Sequence, residues 1–180
     1  MDKKEFNLMH EIGSWIMVLV SAIVLAFFIK TFIFNTVQID GPSMNPTLEH
    51  GDRLITLKIQ YFFKNPARGD VIVFQSPIEP SKEYIKRVIG VEGDEVRIED
   101  GYVYVNGKKL EEYYIEDGIY TFIQEESSWK VGEDKLFVLG DNRQVNKSID
   151  SRYFGEIPIN TVDGRGVFRY YPFNKIGPIH

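Results

Sequence analysis

The feature that most constrains this chain is an uncharged apolar segment close to its N-terminus. No charged residue occurs from Ile12 to Ile29, and after Lys30 the apolar character continues to Phe34. At about 1.5 Å of rise per residue, a helix over 12–34 extends roughly 33 Å, which is enough to cross a hydrocarbon core of about 30 Å. The segment is therefore predicted to form a single transmembrane helix.

A buried core helix and a cleavable signal peptide are the alternatives for this segment. The length of the run and its lack of polar periodicity argue against a core helix. The run ends in Phe27-Phe28-Ile29-Lys30, without the small residues of a cleavage site. Lys3 and Lys4 precede the span, whereas only Lys30 lies between it and Arg53, which favours a cytoplasmic N-terminus. The predicted organisation is a cytoplasmic N-terminus, a transmembrane anchor and one extracytoplasmic β-rich domain, at 1–11, 12–34 and 35–180.

Beyond Asn35 the chain reads as short strands separated by turns. Asp100-Gly101 and Asn106-Gly107 bracket an alternating run, and such pairs are strong hairpin signals. No long helical period follows the apolar segment, and Glu111–Val131 reads as a loop-rich insertion that carries little chemistry. The predicted fold class is mainly β, with the helix followed by a partly closed, folded-over antiparallel sheet. The predicted strands are Thr36–Ile39, Arg53–Leu57, Asp70–Phe74, Tyr84–Val91, Glu95–Glu99, Tyr102–Val105, Leu136–Leu139 and Gly166–Tyr170.

The composition excludes several classes of function. The net charge is -5 and no face or cluster is rich in lysine and arginine, so a nucleic acid is not an expected partner. Cysteine is absent, which excludes disulfides, thiolate nucleophiles and cysteine-based metal sites. The three histidines are scattered without ligand spacing. Neither a histidine-based triad nor a metal site is expected, and no cofactor is predicted.

Two residues lie in settings that suggest nucleophilic chemistry. Ser43 falls in a turn-forming stretch between Gly41 and Pro46, and Lys86 falls in a strand-like run where a hydrophobic residue would be usual. A serine hydroxyl is a poor nucleophile until a base removes its proton, and a lysine serves as that base only when its pKa is lowered. Taken singly, each residue has an ordinary alternative: a turn serine, and an edge-strand lysine whose ammonium reaches water.

A third segment is difficult to explain by packing alone. Charged and hydroxyl residues crowd Leu139–Arg143 and Ser148–Arg152, directly after a run typical of a buried strand. Such groups usually form a hydrogen-bonded network rather than a plain surface.

Together these segments closely resemble the type I signal peptidases, the membrane-bound serine proteases that remove signal peptides from secreted proteins. The resemblance covers nearly the whole chain, from the anchor to the last predicted strand. The short domain resembles the compact form of Gram-positive bacteria, and a lysine at 86 points to the bacterial type rather than that of the endoplasmic reticulum. Four blocks carry the resemblance: Gly41–Leu48, Gly51-Asp52 with the following strand, Tyr84–Gly90, and Gly140–Arg143 with Asp150–Arg152.

This resemblance implies that Ser43 is the nucleophile and Lys86 the general base. The apolar neighbours of Lys86 would disfavour its ammonium form, which agrees with that role. The Ser43 backbone N–H is a natural oxyanion donor. Gram-negative members add a hydroxyl residue two places before the nucleophile; here that place is Gly41, so a backbone group or water must serve instead.

The same resemblance implies a supporting network. Ser148 corresponds to the family's serine that hydrogen-bonds the lysine amine, Asp150 and Arg152 correspond to its structural ion pair, and Asp141 is expected to brace the same loop. The loop from Arg143 to Ser148 is about two residues longer than the usual pattern. That difference leaves open whether Ser148 or another residue reaches the lysine.

The resemblance also implies the substrate and the cellular site. Small apolar pockets would admit short side chains such as alanine before the cut, with Met44, Ile39 and Ile85 as candidate substrate-binding residues. Preprotein signal peptides and the lipid bilayer are the expected partners, at the bacterial cell membrane. Apolar residues just past the anchor and at Ile59–Phe63 are candidates for contact with the bilayer, or for ordinary core.

Three other functions compete with a signal peptidase. An idle or regulatory homologue would bind signal sequences without cutting, but both Ser43 and Lys86 are intact. A self-cleaving repressor with the same Ser–Lys chemistry would need a soluble N-terminal region, where this chain has an apolar span. A membrane-tethered β-domain for adhesion or assembly would leave the four ordered blocks unexplained.

Overall fold

The computed structural model describes residues 3–123 and 127–180, and these residues form a mainly β structure. Positions 1 and 2 of the predicted cytoplasmic segment, and 124–126 of the predicted insertion, lie outside the described residues. The helices α1 and α2 span Lys3–Phe32 and Ser151–Phe154. The strands β1 to β12 span Phe34–Gln38, Arg53–Leu57, Val71–Gln75, Glu83–Val91, Glu95–Glu99, Tyr102–Val105, Lys108–Lys109, Ser128–Lys130, Lys135–Leu139, Ile157–Pro158, Val162–Tyr171 and Gly177–Pro178.

The helix α1 contains most of the apolar segment and leaves it outside the core of the fold. Its part from Glu11 to Phe32 is long and apolar enough to cross a membrane, and none of it is buried inside the protein. The helix ends at Phe32 and β1 begins at Phe34, so the helical part stops two residues before the predicted end of the anchor. A helix that is apolar on all sides requires an apolar surrounding, which a bilayer provides.

The larger sheet positions the chemistry of the molecule. Its strand order is β1-β2-β11-β3-β4-β9-β10, with β12 pairing β11, and its pairings are antiparallel. The edge strands β1 and β10 do not meet, so the sheet remains open rather than forming a closed barrel. The long strand β11 has two register shifts against β2 and one against β3, which allow the sheet to bend over itself. The prediction of a mainly β, folded-over antiparallel fold is confirmed.

A smaller sheet, in the order β7-β6-β5-β8, forms a separate layer. Its two hairpin turns lie at the predicted pairs, and Asp100, Gly101, Asn106 and Gly107 all have positive φ values. A two-residue hairpin loop with a type I′ turn requires positive φ values at both of its central residues. Four strands that the sequence did not predict, β7, β8, β10 and β12, are two or three residues long, too short for an alternating pattern.

Among the described residues, three clusters of buried side chains form the core. One of them lies beneath the turn that carries Ser43 and therefore fixes its position. It consists of Ile39, Met44, Leu48, Leu54, Val71 and Ile179, with Ile85 packed against it. The other two clusters pack β4 and β9 against the smaller sheet, and the middle of the larger sheet against Ile157.

Candidate active site

The turn that carries Ser43 is held at its backbone and from below. Asn142 donates its backbone N–H to the Ser43 carbonyl oxygen at 3.0 Å, and its side-chain amide to the Pro42 carbonyl oxygen at 3.0 Å. Met44 and Leu48, which both follow Ser43, are fully buried. Gly41 has a φ of 95°, a conformation that a residue with a Cβ adopts only with strain. The hydroxyl of Ser43 is thus presented by a rigid backbone.

Lys86 lies within hydrogen-bond distance of that hydroxyl. Its Nζ is 2.8 Å from Ser43 Oγ and 2.8 Å from the Ile85 carbonyl oxygen, although the two side chains are 43 positions apart in sequence. Lys86 is only 4% exposed. Burial lowers the pKa of its amine to about 8, against an opposing effect of the carboxylates Asp150 and Asp141. About a tenth of the amine is therefore neutral at pH 7, far more than for an exposed lysine.

An unpaired strand edge borders this pair of side chains. β4 pairs with β3 from Glu83 to Arg87, whereas β9 pairs with β4 only from Arg87 onward. Over Glu83–Ile85 the second edge of β4 therefore has no partner strand among the described residues. That edge faces a cavity of about 310 Å³, which also contains Ser43 and Lys86. An extended peptide could add to such an edge.

The residues predicted to form apolar pocket walls differ in their placement. Ile39 and Ile85 line the cavity of Ser43, together with Val73. Met44, in contrast, is fully buried, and the cavity lining does not include it. It packs in the core cluster of Ile39, because the residue after Ser43 points inward to hold the turn. Met44 supports the cavity wall from behind rather than forming it.

Arg87, next to Lys86, carries its charge to the other face of β4. Its guanidinium binds both oxygens of Asp141, at 2.8 and 2.7 Å, and both side chains are almost fully buried. Thr47 donates its hydroxyl to the same carboxylate at 2.5 Å. Successive side chains of a strand point to opposite faces. The predicted brace by Asp141 therefore acts between Arg87 and the segment that follows Ser43.

Asp150 organises the loop that returns towards the dyad of Ser43 and Lys86. Its buried carboxylate accepts hydrogen bonds from Arg152 Nε and Nη2 at 2.8 and 2.7 Å, from the Ser148 hydroxyl at 2.7 Å, and from the Gly140 N–H at 3.0 Å. Burial alone would raise the pKa of this carboxyl group, but the hydrogen bonds and charge of Arg152 hold it below its ordinary value. Asp150 is therefore ionised at neutral pH.

The structure places Ser148 beside the dyad without a hydrogen bond to Lys86 among the described residues. Its hydroxyl donates to Asp150 instead. Gly140 lies between the Ser148 hydroxyl and the Ser43 carbonyl oxygen, and a Cβ at this position would overlap both. The absence of a side chain at Gly140 is what permits these groups to approach each other.

The predicted insertion contributes a carboxylate that sequence reasoning missed. Glu112 forms an ion pair with the fully buried Arg143, which also donates to Thr121 Oγ1 at 2.9 Å and to the Gly140 carbonyl oxygen at 2.7 Å. A buried arginine requires a counter-ion, but nothing in the sequence indicates which acid of the insertion supplies it. Within 3–123 and 127–180, no group of three or more His, Asp or Glu side chains could hold a metal ion.

The site combines three elements needed for attack on a peptide carbonyl. Ser43 supplies a hydroxyl, Lys86 supplies a base with a lowered pKa, and the cavity offers an unpaired strand edge. The Ser43 backbone N–H has no acceptor among the described residues. That N–H is available to stabilise negative charge on a carbonyl oxygen.

Comparison with known proteins gives similarity along most of the chain. The family described as "Signal peptidase, peptidase S26" matches residues 12–171. A probable signal peptidase I-2 of Synechocystis sp. is 42% identical over 165 residues, covering 88% of this chain and 73% of that protein. The signal peptidase I of Bacillus licheniformis is 35% identical over 184 residues, covering 97% of each. A crystal structure of a signal peptidase I from Enterococcus faecalis V583 covers 57% of this chain and 97% of its own, at 34% identity and a TM-score of 0.48.

Proposed function

The chain belongs to the signal peptidase family of S26 peptidases, and on that premise we propose that it is a membrane-anchored endopeptidase that removes signal peptides from exported preproteins. The observation that carries the proposed mechanism is the 2.8 Å contact between Ser43 Oγ and the Nζ of a buried lysine, Lys86.

The reaction begins with a proton transfer within the dyad. Neutral Lys86 takes the hydroxyl proton while Ser43 Oγ attacks the scissile carbonyl carbon, and the Ser43 N–H stabilises the oxyanion that forms. Collapse breaks the C–N bond, and the Lys86 ammonium returns its proton to the departing amine. Lys86 then takes a proton from water, whose oxygen attacks the acyl-enzyme. The Ser43–acyl bond breaks and the serine recovers a proton from Lys86.

The signal peptide pairs with the free edge of β4 in this proposal. Its backbone adds along Glu83–Ile85 as an extended strand, which supplies main-chain hydrogen bonds that do not depend on sequence. Ile39 and Ile85 narrow the cavity next to Ser43. Small side chains before the cut fit between these walls, whereas larger ones would collide with them.

The anchor holds the site close to the membrane surface. Only Ile33 separates α1 from β1, and the ten residues from there to Ser43 reach at most about 35 Å when fully extended. The Lys58 N–H donates to the Ile33 carbonyl oxygen at 3.0 Å, so the following turn lies beside the end of the anchor. Phe63, directly after that turn, is 84% exposed and is placed to contact lipid. The N-terminus is cytoplasmic and the β domain lies on the outer face of the cell membrane.

Cleavage of a preprotein by the purified full chain in detergent tests this function. We expect the wild type to release the mature protein, with cleavage after a small residue identified by N-terminal sequencing. Ser43→Ala and Lys86→Ala should each abolish detectable cleavage, because nucleophile and base are both required.

Two surface variants serve as matched controls. Ser81→Ala and Lys82→Ala remove the same groups from exposed positions on the loop before β4 and should cut as the wild type does. A wild type that does not cut would exclude the proposed peptidase. A Ser43→Ala or Lys86→Ala variant that cuts at the wild-type rate would exclude the dyad.

A further inference from the structure

The lengthened loop Gln144–Lys147 is fixed in place beside the catalytic dyad. Its first neighbour, Arg143, is fully buried and bound to the Gly140 carbonyl oxygen, and its last neighbour, Ser148, is bound to Asp150. Between these ends the Lys147 N–H donates to the Gln144 carbonyl oxygen at 3.3 Å, closing a turn. A loop anchored at both ends presents its side chains at defined places.

Lys147 lines two cavities, which both also include Pro42 of the turn that carries Ser43. It lines the cavity of about 310 Å³ that contains Ser43 and Lys86. It also lines a second cavity of about 470 Å³, which has Pro42, Asn45 and Asn142 among its walls. A peptide that occupies the first cavity up to the scissile bond must continue past Ser43, and the second cavity adjoins the first at Pro42 and Lys147.

Among the described residues, most charged groups around the second cavity are paired with each other or with nearby residues, and Lys147 is not. The buried cation Arg143 is paired with Glu112, and the carboxylates Asp141 and Glu49 are paired with Arg87 and Lys175. No hydrogen bond or ion pair engages the ammonium of Lys147 within the described ranges. One unpaired carboxylate, Glu116, stands on another part of the wall. In the first cavity, the acids Asp40 and Glu83 are exposed, so water screens their effect on Lys147.

We propose that the second cavity is the subsite for the first residues of the mature protein, and that Lys147 makes it select an acidic side chain there. The inference rests on the proposed function, because it concerns the part of the same substrate that follows the cut. The ligand is a peptide segment of polar character bearing a carboxylate. Glu116 would repel such a group. A carboxylate is therefore favoured next to Lys147 and disfavoured next to Glu116.

A cycle of enzyme and substrate variants measures this selection. Peptides carrying Glu or Gln at each of the first three positions after the cut are compared by kcat/KM, with full-length wild type and with Lys147→Gln and Lys147→Glu. An exposed ion pair corresponds to a change of about two- to fivefold. At one of the three positions at least, we expect the ratio of kcat/KM for the Glu peptide to that for the Gln peptide to be higher by this factor in wild type than in Lys147→Gln. In Lys147→Glu, the Gln peptide should become the better substrate.

Two controls separate a local contact from the general charge of the enzyme. Lys108→Gln removes an equal charge from the smaller sheet, where the side chain lines neither cavity, and should leave the Glu-to-Gln ratio as in wild type. Added salt should weaken the Lys147 effect, since it screens an exposed pair.

The possible results distinguish this inference from the function on which it rests. Cleavage of the Gln peptides with the same Glu-to-Gln ratio for wild type, Lys147→Gln and Lys147→Glu would overturn the inference and leave the peptidase intact. An equal change of ratio in Lys108→Gln would also overturn it. Failure of wild type to cut any peptide would overturn both.

Discussion

In the proposed mechanism, the protonation state of Lys86 controls the chemistry. Its pKa is lowered to about 8 because burial penalises the ammonium form. Activity depends on the neutral amine, so we predict that kcat/KM falls about tenfold per pH unit below that value and levels off above it. Rates from about pH 6 to 10, with circular dichroism as a check on folding, measure the profile. A rate independent of pH across this range would contradict Lys86 as the base.

The same lowered pKa makes Lys86 costly for stability. In the unfolded chain the amine returns to a pKa of 10.5, so between about 8 and 10.5 the unfolded state holds a proton that the folded state has lost. The free energy of unfolding therefore rises with pH across that window. At pH 7, Lys86→Met should be more stable than wild type by up to roughly 3 kcal/mol, the equivalent of that shift.

Urea unfolding at two pH values tests this stability effect. The advantage of Lys86→Met over wild type should shrink towards about pH 10.5. There the lysine is neutral in the folded state, so its burial no longer carries the cost of a charge. Lys82→Met, at an exposed position, is the control and should change stability little. An advantage that is absent at pH 7, or equal at both pH values, would mean that the burial of Lys86 carries no such cost.

At the scale of elements, Glu112 and Thr121, from the residues that follow β7, bind the buried arginine Arg143. Glu112→Ala would leave that guanidinium buried without its counter-ion, and loss of one partner of a buried pair costs about 3–5 kcal/mol. We predict a fall of this size in the free energy of unfolding, with a lower kcat, because Arg143 holds the turn that binds the Ser43 carbonyl. Glu111→Ala, at the exposed neighbouring position, should leave both quantities nearly unchanged.

How far the sequence predicts an element depends on how local its cause is. The hairpins at Asp100-Gly101 and Asn106-Gly107 were predictable because each turn needs only its own two residues. Short strands such as β10 and β12 were not, because they exist only where a longer strand offers an edge. The role of Glu112 was missed for the same reason, since its partner lies 31 positions away. Likewise, the inward direction of Met44 follows from the core beneath it.

At the scale of the whole molecule, the anchor and the β domain are structurally separable. None of the apolar stretch Glu11–Phe32 is buried inside the protein, so its removal should expose no core. We predict that a variant lacking residues 1–32 keeps its far-ultraviolet circular dichroism and cuts a short peptide in detergent as the full chain does. It should cut a preprotein held in a vesicle at least about tenfold more slowly, because it loses the effective concentration that a shared membrane provides.

The full chain reconstituted in the same vesicles is the reference for that comparison. If the shortened protein loses its β signal, the helix contributes to the fold after all. If it processes the vesicle-bound preprotein as fast as the full chain, the anchor has no part in bringing enzyme and substrate together.

Adjacent positions on β4 carry two cations with incompatible chemistry. Lys86 faces the hydroxyl of Ser43 and Arg87 faces the carboxylate of Asp141, because the pleat sends them to opposite sides. Sliding β4 by a single position against β3 would exchange those sides and place a guanidinium beneath the serine. A guanidinium keeps its proton at any physiological pH and cannot accept another. The register between β3 and β4 therefore decides whether a side chain that can accept a proton lies beside Ser43. Each hydrogen bond of that ladder helps to maintain the register.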